Sequence, residues 1–469
     1  MSLTTAPRPI DLDTLAGRPT ALVCGGCGHA VAEDEPIRLS CPRARPGDDT
    51  DHVLRRRLQP SRLAWPADAD PNPFIRYRTL FHAYHAALAV GSSDGDIVRL
   101  IRRLDQDVAR VDGHGFRVTP FAPAASLGEA LALEPDGVIL IKDETGNVSG
   151  SHKARHLFGT LLELELAGGP AQSANHPLAI ASCGNAALAA AVVARAAGRR
   201  LLVFVPPDAD VAVMRRLTAL HAEIEVCERR PGVAGDPTYL RLIAALRDGA
   251  IAFTCQGNLN GLAIEGGETL GWEMVSQLAS VGRQLDHVVI QVGGGALAAS
   301  VIQAFVEARD LGAIATLPRF HTVQTRGAHP LARAHERLLA RLGPEASDEA
   351  IDRELRWAAT HRSSFMWPWE TEPRSLAGGI LDDETYDWLA VVEGMTRTGG
   401  RSIIVSEAAI HEANRLARAL TGIDVDPTGS AGLAGAIGLL RRGEIGPADR
   451  TAVIFTGVRR QPVSDGVQS

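Results

Sequence analysis

DGVILIKDETGNVSGSHKARHLFGTLLELELAGG, residues 136–169, holds a strand, a glycine- and serine-rich turn and a helix in one short stretch. The aliphatic run around Val138–Ile141 is the length of a buried strand. From His152 onward apolar residues recur at helical spacing, and Gly168 and Gly169 supply a stop signal. Lys153 therefore stands at the start of the helix. The same stretch contains Lys142 and Lys153, the only two lysines among 48 lysine and arginine residues. A guanidinium stays protonated, whereas a lysine amine can lose its proton, attack a carbonyl and hold it as a Schiff base. The plain alternative is two chance survivors in an arginine-rich composition. Their adjacency and the small residues around Lys153 weigh against it.

Outward from this stretch the rhythm repeats. PLAIASCGN (177–185) is a strand running into a turn, AALAAAVVARAAG (186–198) an alanine-rich helix, and RRLLVFVPP (199–207) a strand ended by prolines. MRRLTALHA (214–222) and EIEVCE (223–228) add a helix and a strand, and RFHTVQT (319–325) one more buried strand. This is the alternation of an α/β protein with parallel-rich twisted sheets flanked by helices. HVVIQVGGGALAASVIQAF (287–305) places Gly293, Gly294, Gly295 and Ala296 between a strand and a helix. Converging N–H groups at such a corner favour a phosphate, although glycine also serves there merely to allow a tight turn. A dinucleotide fingerprint is absent, since GGGALA fits GxGxxG poorly, which disfavours a nucleotide-binding oxidoreductase. A phosphate monoester fits better.

The composition narrows the function classes. With 469 residues, 45% hydrophobic content and a net charge of −7, the chain can bury a large core and has no global basic field for nucleic acid. The apolar run from Leu178 to Gly198 is broken by Asn185 and Arg195, so it reads as strand, turn and helix, not a membrane span. MSLTTAPRPIDLDTLAG, residues 1–17, has neither a basic nor an apolar signal region, so a cytoplasmic location and reduced cysteines are expected. Of the six cysteines, Cys24, Cys27 and Cys41 form CGGCG followed by SCP, half of a zinc ribbon. The fourth position is Ala44. His29 or His52 could complete a Cys3His site, and a metal-free turn module is the alternative.

Taken together, the lysine before a helix, the SerCysGlyAsn turn and the triglycine loop resemble the fold type II family of pyridoxal-phosphate enzymes. That family includes threonine synthase, threonine and serine dehydratases and the tryptophan synthase β chain. SGSHKAR is similar to its lysine motif, SCGNAA to its asparagine loop and VGGGALAAS to its phosphate loop. IEGGETLGWEM, EPRSLAGGI, DPTGSAGLAG and IFTGV find counterparts in order, over roughly residues 75–460.

The resemblance implies a two-domain, tryptophan synthase β-like fold and pyridoxal phosphate as cofactor. Lys153 would be the Schiff-base lysine, Asn185 the partner of the cofactor's 3-hydroxyl oxygen, Gly293–Ala296 the phosphate cradle and Thr456 the residue at the pyridine nitrogen. A neutral hydroxyl there weakens the ring as an electron sink and favours elimination. Backbone amides of Ser182, Gly184 and Asn185 would take a substrate carboxylate, although serine and asparagine are also ordinary helix caps. Cys183 could exchange a proton on the substrate's second face or simply pack. His152 could contact the phosphate or cap the turn. The implied activity is a lyase or synthase acting on an amino acid by Cα deprotonation and loss of a β- or γ-substituent, threonine synthase-like or dehydratase-like. Replacement by a second nucleophile is the first alternative, and a non-catalytic cofactor- or phosphate-binding regulator the second.

The expected organisation is an N-terminal extension (1–70) with the cysteine cluster, a large cofactor-binding domain (71–179 and 263–469) and a small α/β domain (180–262). A homo-oligomer, a dimer by resemblance, is expected. SSFMWPWETEPRS (363–375) is unsuited to a regular helix. It could close over substrate with Trp367, Trp369 and Arg374, or bury its aromatics between subunits.

Overall fold

The computed structural model describes residues 17–32, 39–166, 175–229, 236–344 and 346–460. The glycine stop at 168–169 lies outside them, as do residues 1–16. Strands β1 (Thr20–Cys24) and β2 (Leu54–Leu58) pair antiparallel in the N-terminal extension. The remaining strands are β3 (Phe121–Pro123), β4 (Val138–Asp143), β5 (Leu178–Ala181), β6 (Leu201–Val205), β7 (Glu223–Val226), β8 (Ile251–Ala252), β9 (His287–Gln291), β10 (Arg319–Thr325), β11 (Ser402–Val405) and β12 (Arg450–Phe455).

They form two further sheets. One has six strands in the order β11-β10-β9-β12-β4-β3, parallel except for β3 at its edge. The other has four parallel strands in the order β7-β6-β5-β8. β9 is buried along its whole length and β12 nearly so, because helices cover both faces of the sheet. The helix Asn185–Ala196 buries eight consecutive residues from Ala187 to Ala194, which small side chains permit. The helices Pro73–Arg76 and Asp94–Asp112 pack into the same buried cluster as that helix and strands β5 and β6. No helix among the described residues is long and apolar enough to cross a membrane.

One of the contacts that key the extension into the body is a buried side chain. Arg56, on β2, is buried and meets Glu265 (2.9 Å), Glu307 (2.8 Å) and Glu268, with its guanidinium 5.6 Å from the Trp272 ring. Three carboxylates around a buried arginine hold its protonated form firmly. Cutting that arginine would leave uncompensated buried acids, so the strand and the helix Ala263–Ser280 are locked together.

Candidate active site

The turn after β4 delivers Lys153 to the first position of the helix Lys153–Leu166. That first turn is fixed from below by Arg155, which is fully buried. Its guanidinium meets Glu144 at 2.8 Å and Glu273 at 2.6 Å, and Nη1 donates to Thr269 Oγ1 at 3.0 Å. Lys142 belongs to the same network: its Nζ donates to Glu273 (2.6 Å), the Thr119 carbonyl (2.9 Å) and Gln277 (3.0 Å). An ammonium has three donors, and here all three are used. The side chain of Lys153, half-buried, makes no hydrogen bond or ion pair with a described residue. Its charge nevertheless acts on the carboxyls of Asp382 and Asp387 and on the Cys255 thiol, which places these groups in its neighbourhood.

Thr456, just after β12, closes one side. Its Oγ1 accepts from the His152 N–H at 3.0 Å and lies 2.7 Å from His152 Nδ1. His152 is buried, its pKa is held well below the ordinary value by burial and then by Lys153, and its Nε2 has no hydrogen-bond partner among the described residues. A neutral ring with an open nitrogen beside Lys153 is a polar atom waiting for a group from outside the fold. Asn185 sits across the same opening. Its Oδ1 accepts from Arg460 at 2.9 Å, and its Nδ2 is 2.9 Å from where a Cβ on Gly457 would lie. Asp426 shares that corner. Burial pushes it up to about 6, against the Gly429 N–H, Arg460 and Asn185, which favour its charged form.

The triglycine corner lies between β9 and the helix Ala296–Asp310. Gly295 caps that helix in the left-handed region (φ 101°), with no side-chain cap for the first-turn amides. Thr385 Oγ1 donates to the Gly293 carbonyl at 2.9 Å and the Asp387 N–H to the Gly294 carbonyl at 3.1 Å. A Cβ on Gly293 would collide with the Asp382 carboxyl, and one on Gly294 would lie 2.9 Å from the Tyr386 ring. The cradle is therefore sized for glycine. Burial raises the Asp382 carboxyl and Asp383 adds to the effect, opposed by Lys153 and the Gly294 N–H. The raised Asp382 carboxyl takes up a proton more readily than an ordinary one beside an anionic phosphate, and the uncapped amides, the glycine-only space and the open His152 nitrogen fit pyridoxal phosphate.

Ser182 Oγ accepts from the Gly184 N–H at 3.4 Å, and the helix from Asn185 likewise begins without a side-chain cap. Cys183 is exposed at this turn. Partial desolvation of the sulfur by surrounding atoms and then Asp208 raise its pKa above the ordinary cysteine value, so it stays a thiol at neutral pH.

Sequence reading missed Asp382, Tyr386, Asp387, Asp426 and Arg460. The first three lie in DDETYD (382–387), an acidic run that reads as a solvated loop until its backbone is seen over the glycines. The neighbouring aromatic stretch divides: Phe365 and Met366 are buried, while Trp367 and Trp369 lie against Arg333 at 3.6 and 5.2 Å. Arg374 is exposed and paired with Glu372 at 2.8 Å.

The N-terminal cysteines also come together. Cys24, Cys27, Cys41 and His52 bring one ligand atom each within 4.8 Å of one another. His29 instead uses its carbonyl to accept from the Cys24 N–H at 2.8 Å.

Residues 114–457 match the family described as pyridoxal-phosphate dependent enzyme. The threonine synthase of Methanosarcina acetivorans is 24% identical over 340 residues, 72% of this chain and 74% of that protein. Among solved structures, threonine deaminase from T.th. superposes with a TM-score of 0.55 and 23% identity, covering 77% of this chain and 99% of that one. Maize serine racemase gives a TM-score of 0.55 at 16% identity, covering 77% and 94%. At these identities the superpositions speak to the fold alone. The family match spans both sheets, the lysine turn, the asparagine turn and the triglycine corner, and the chain belongs to the pyridoxal-phosphate-dependent enzyme family.

Proposed function

We propose that this enzyme removes the Cα proton of an amino acid and expels a β- or γ-substituent. The observation that carries the reading is the lysine amine at a helix start without a side-chain partner, its charge felt by Asp382 and Asp387 beside the glycine cradle and Thr456 bonded to the adjacent His152. Pyridoxal phosphate, when bound, supplies the electron sink for charge left at Cα. Lys153 would hold the cofactor and, once released, carry the Cα proton. Gly293, Gly294, Gly295 and Ala296 would hold the phosphate, with His152 Nε2 as a further contact. Asn185 would lie against the phenolic oxygen, held in place by Arg460 and Asp426. Backbone amides of Ser182, Gly184 and Asn185 would orient the substrate carboxylate. Cys183 would stand on the opposite face as a neutral thiol. Thr456 offers a hydroxyl rather than a carboxylate to the ring, which supports loss of a leaving group over transamination. Replacement by a second nucleophile is the second reading, favoured by the threonine synthases among the relatives.

The test is a panel of amino acids with β- or γ-leaving groups on the cofactor-loaded chain. Keto acid plus ammonia establishes elimination, and a new amino acid establishes replacement. A loaded chain inert to every member would support the non-catalytic reading instead.

We also propose that the N-terminal extension binds zinc through Cys24, Cys27, Cys41 and His52. Zinc–sulfur bonds of about 2.3 Å and zinc–nitrogen bonds of about 2.0–2.1 Å give tetrahedral edges of roughly 3.8 Å (S···S) and 3.6 Å (S···N). Cys27 Sγ and Cys41 Sγ are 3.7 Å apart, and Cys24 Sγ is 3.5 Å from His52 Nδ1. Asp48 accepts from or shares a proton with His52 Nε2 at 2.7 Å, the outer carboxylate that fixes a ligating ring. A homodimer in the cytoplasm, divided into the domains expected from sequence, completes the proposal.

A further inference from the structure

The turn that carries His52 is shared between the cysteine cluster and the cofactor cradle. Gly26, between Cys24 and Cys27, packs on it so closely that a Cβ would collide with the Asp51 carbonyl oxygen, and the Gly25 N–H donates to the Val53 carbonyl at 2.8 Å. On its other side the turn grips residues far along the chain. Asp49 accepts from the Ser363 N–H (2.7 Å) and hydroxyl (3.0 Å), and its carbonyl takes the Arg362 N–H at 2.8 Å. The Asp51 N–H donates to the Ala359 carbonyl at 2.8 Å. Its buried carboxylate accepts from Trp388 Nε1 at 3.0 Å.

Trp388 adjoins the residues that set the cradle. Thr385 and Asp387 hold the carbonyls of Gly293 and Gly294. A trans peptide unit is planar, so fixing those two carbonyls aims the N–H groups of Gly294 and Gly295 the opposite way. The Gly294 N–H meets the Asp382 carboxyl, and the Gly295 N–H is an amide a phosphate would use. Among its described residues the extension has little apolar core of its own to hold the turn: the buried clusters there are Ala21 with Val23, and Cys24 with Cys41 and Leu54. An ion bound by four ligands would supply the missing cross-link.

We infer that a metal ion at Cys24, Cys27, Cys41 and His52 sets the geometry of the triglycine cradle through the Asp51–Trp388 hydrogen bond, so that metal and pyridoxal phosphate bind cooperatively. The inference rests on the zinc reading above. Cooperativity is reciprocal: whatever factor zinc adds to cofactor affinity, the cofactor must add to zinc affinity.

The test uses the full chain, with zinc content measured per chain and pyridoxal phosphate affinity read by tryptophan fluorescence, zinc-loaded and chelator-stripped. The expected result is one zinc per chain and cofactor binding weakened about tenfold or more by stripping. The same factor should appear in zinc affinity with and without cofactor. Trp388→Phe keeps the ring and removes the donor. Loaded with zinc, it should bind the cofactor as weakly as stripped wild type and no longer respond to stripping. If the stripped chain unfolds, the zinc-loaded Trp388→Phe comparison decides alone. One bound zinc with unchanged cofactor affinity on stripping overturns the coupling and leaves the zinc site standing. A zinc-loaded Trp388→Phe that binds cofactor like wild type overturns the route. No bound zinc overturns both the site and the coupling.

Discussion

Lys142 and Lys153 lie on consecutive elements of one motif, yet their surroundings are opposite. Lys142 is fully buried with all three ammonium donors satisfied by Thr119, Glu273 and Gln277. Burial lowers its pKa, and Glu273 and Glu144 pull it back toward the charged form. Lys153 has no hydrogen-bond or ion-pair partner among the described residues, while Asp382, Asp387, Cys255 and His152 respond to its charge. A chain that otherwise uses arginine keeps one lysine because three acceptors enclose a compact ammonium. It leaves the other amine without a side-chain partner, as the proposed Schiff-base role requires. Saturation marks structure, and open donors in a ring of shifted groups mark chemistry.

The largest expected effect comes from breaking the reactive member. Lys153→Ala should lower turnover by roughly a thousandfold or more while leaving the urea midpoint nearly unchanged. Lys142→Met should do the reverse. It leaves Glu273 facing Arg155 without its second cation and should cost about 3–5 kcal/mol in urea unfolding, with the cofactor attachment retained. A stable Lys142→Met protein that has lost its cofactor would invert the comparison.

The acids around Lys153 sharpen it through pH. Burial raises Asp387 to about 7 and Asp426 to about 6, from ordinary values near 3.8. The folded chain then holds protons that the unfolded chain releases. Their stabilising effect is complete below about pH 4 and is lost as pH rises through 6 to 7. Cofactor-free protein should lose up to about 7 kcal/mol between pH 4 and 7, at about 1.4 kcal/mol for each pH unit that separates the folded and unfolded values, and Asp387→Asn should flatten the upper part of that loss. Denaturant titrations at pH 4, 6 and 8 check this, and a slope unchanged by the substitution would contradict it.

Smaller effects probe the cradle and the far face. Gly294→Ala pushes a Cβ against the Tyr386 ring and should weaken pyridoxal phosphate binding about tenfold, measured by equilibrium dialysis. Cys183→Ser, at an exposed position with a protonated thiol, should change turnover by less than about threefold. A loss near a hundredfold would instead make the thiol a proton carrier.

Much of the fold was legible because its signals are local. Strand-turn-helix transitions at residues 138–166, 178–196 and 287–310 follow from aliphatic runs, glycine corners and helical spacing. Lys153, Asn185 and the triglycine loop each stand at such a transition, whereas Thr456 follows the last strand and was named only by resemblance. Residues joined only by packing were not. Nothing around Arg56 announces that Glu265, Glu268 and Glu307 will enclose it, and the DDETYD run has the composition of a surface loop. His52 could not be preferred over His29 by spacing, since the hairpin of β1 and β2 decides which ring reaches the cysteines.

The most direct test of the central claim is to load the chain with pyridoxal phosphate, reduce it with borohydride and map the modified peptide by mass spectrometry. A single adduct on Lys153, with Lys142 unmodified, is the predicted result. An adduct on Lys142, or none on either lysine, would contradict the account.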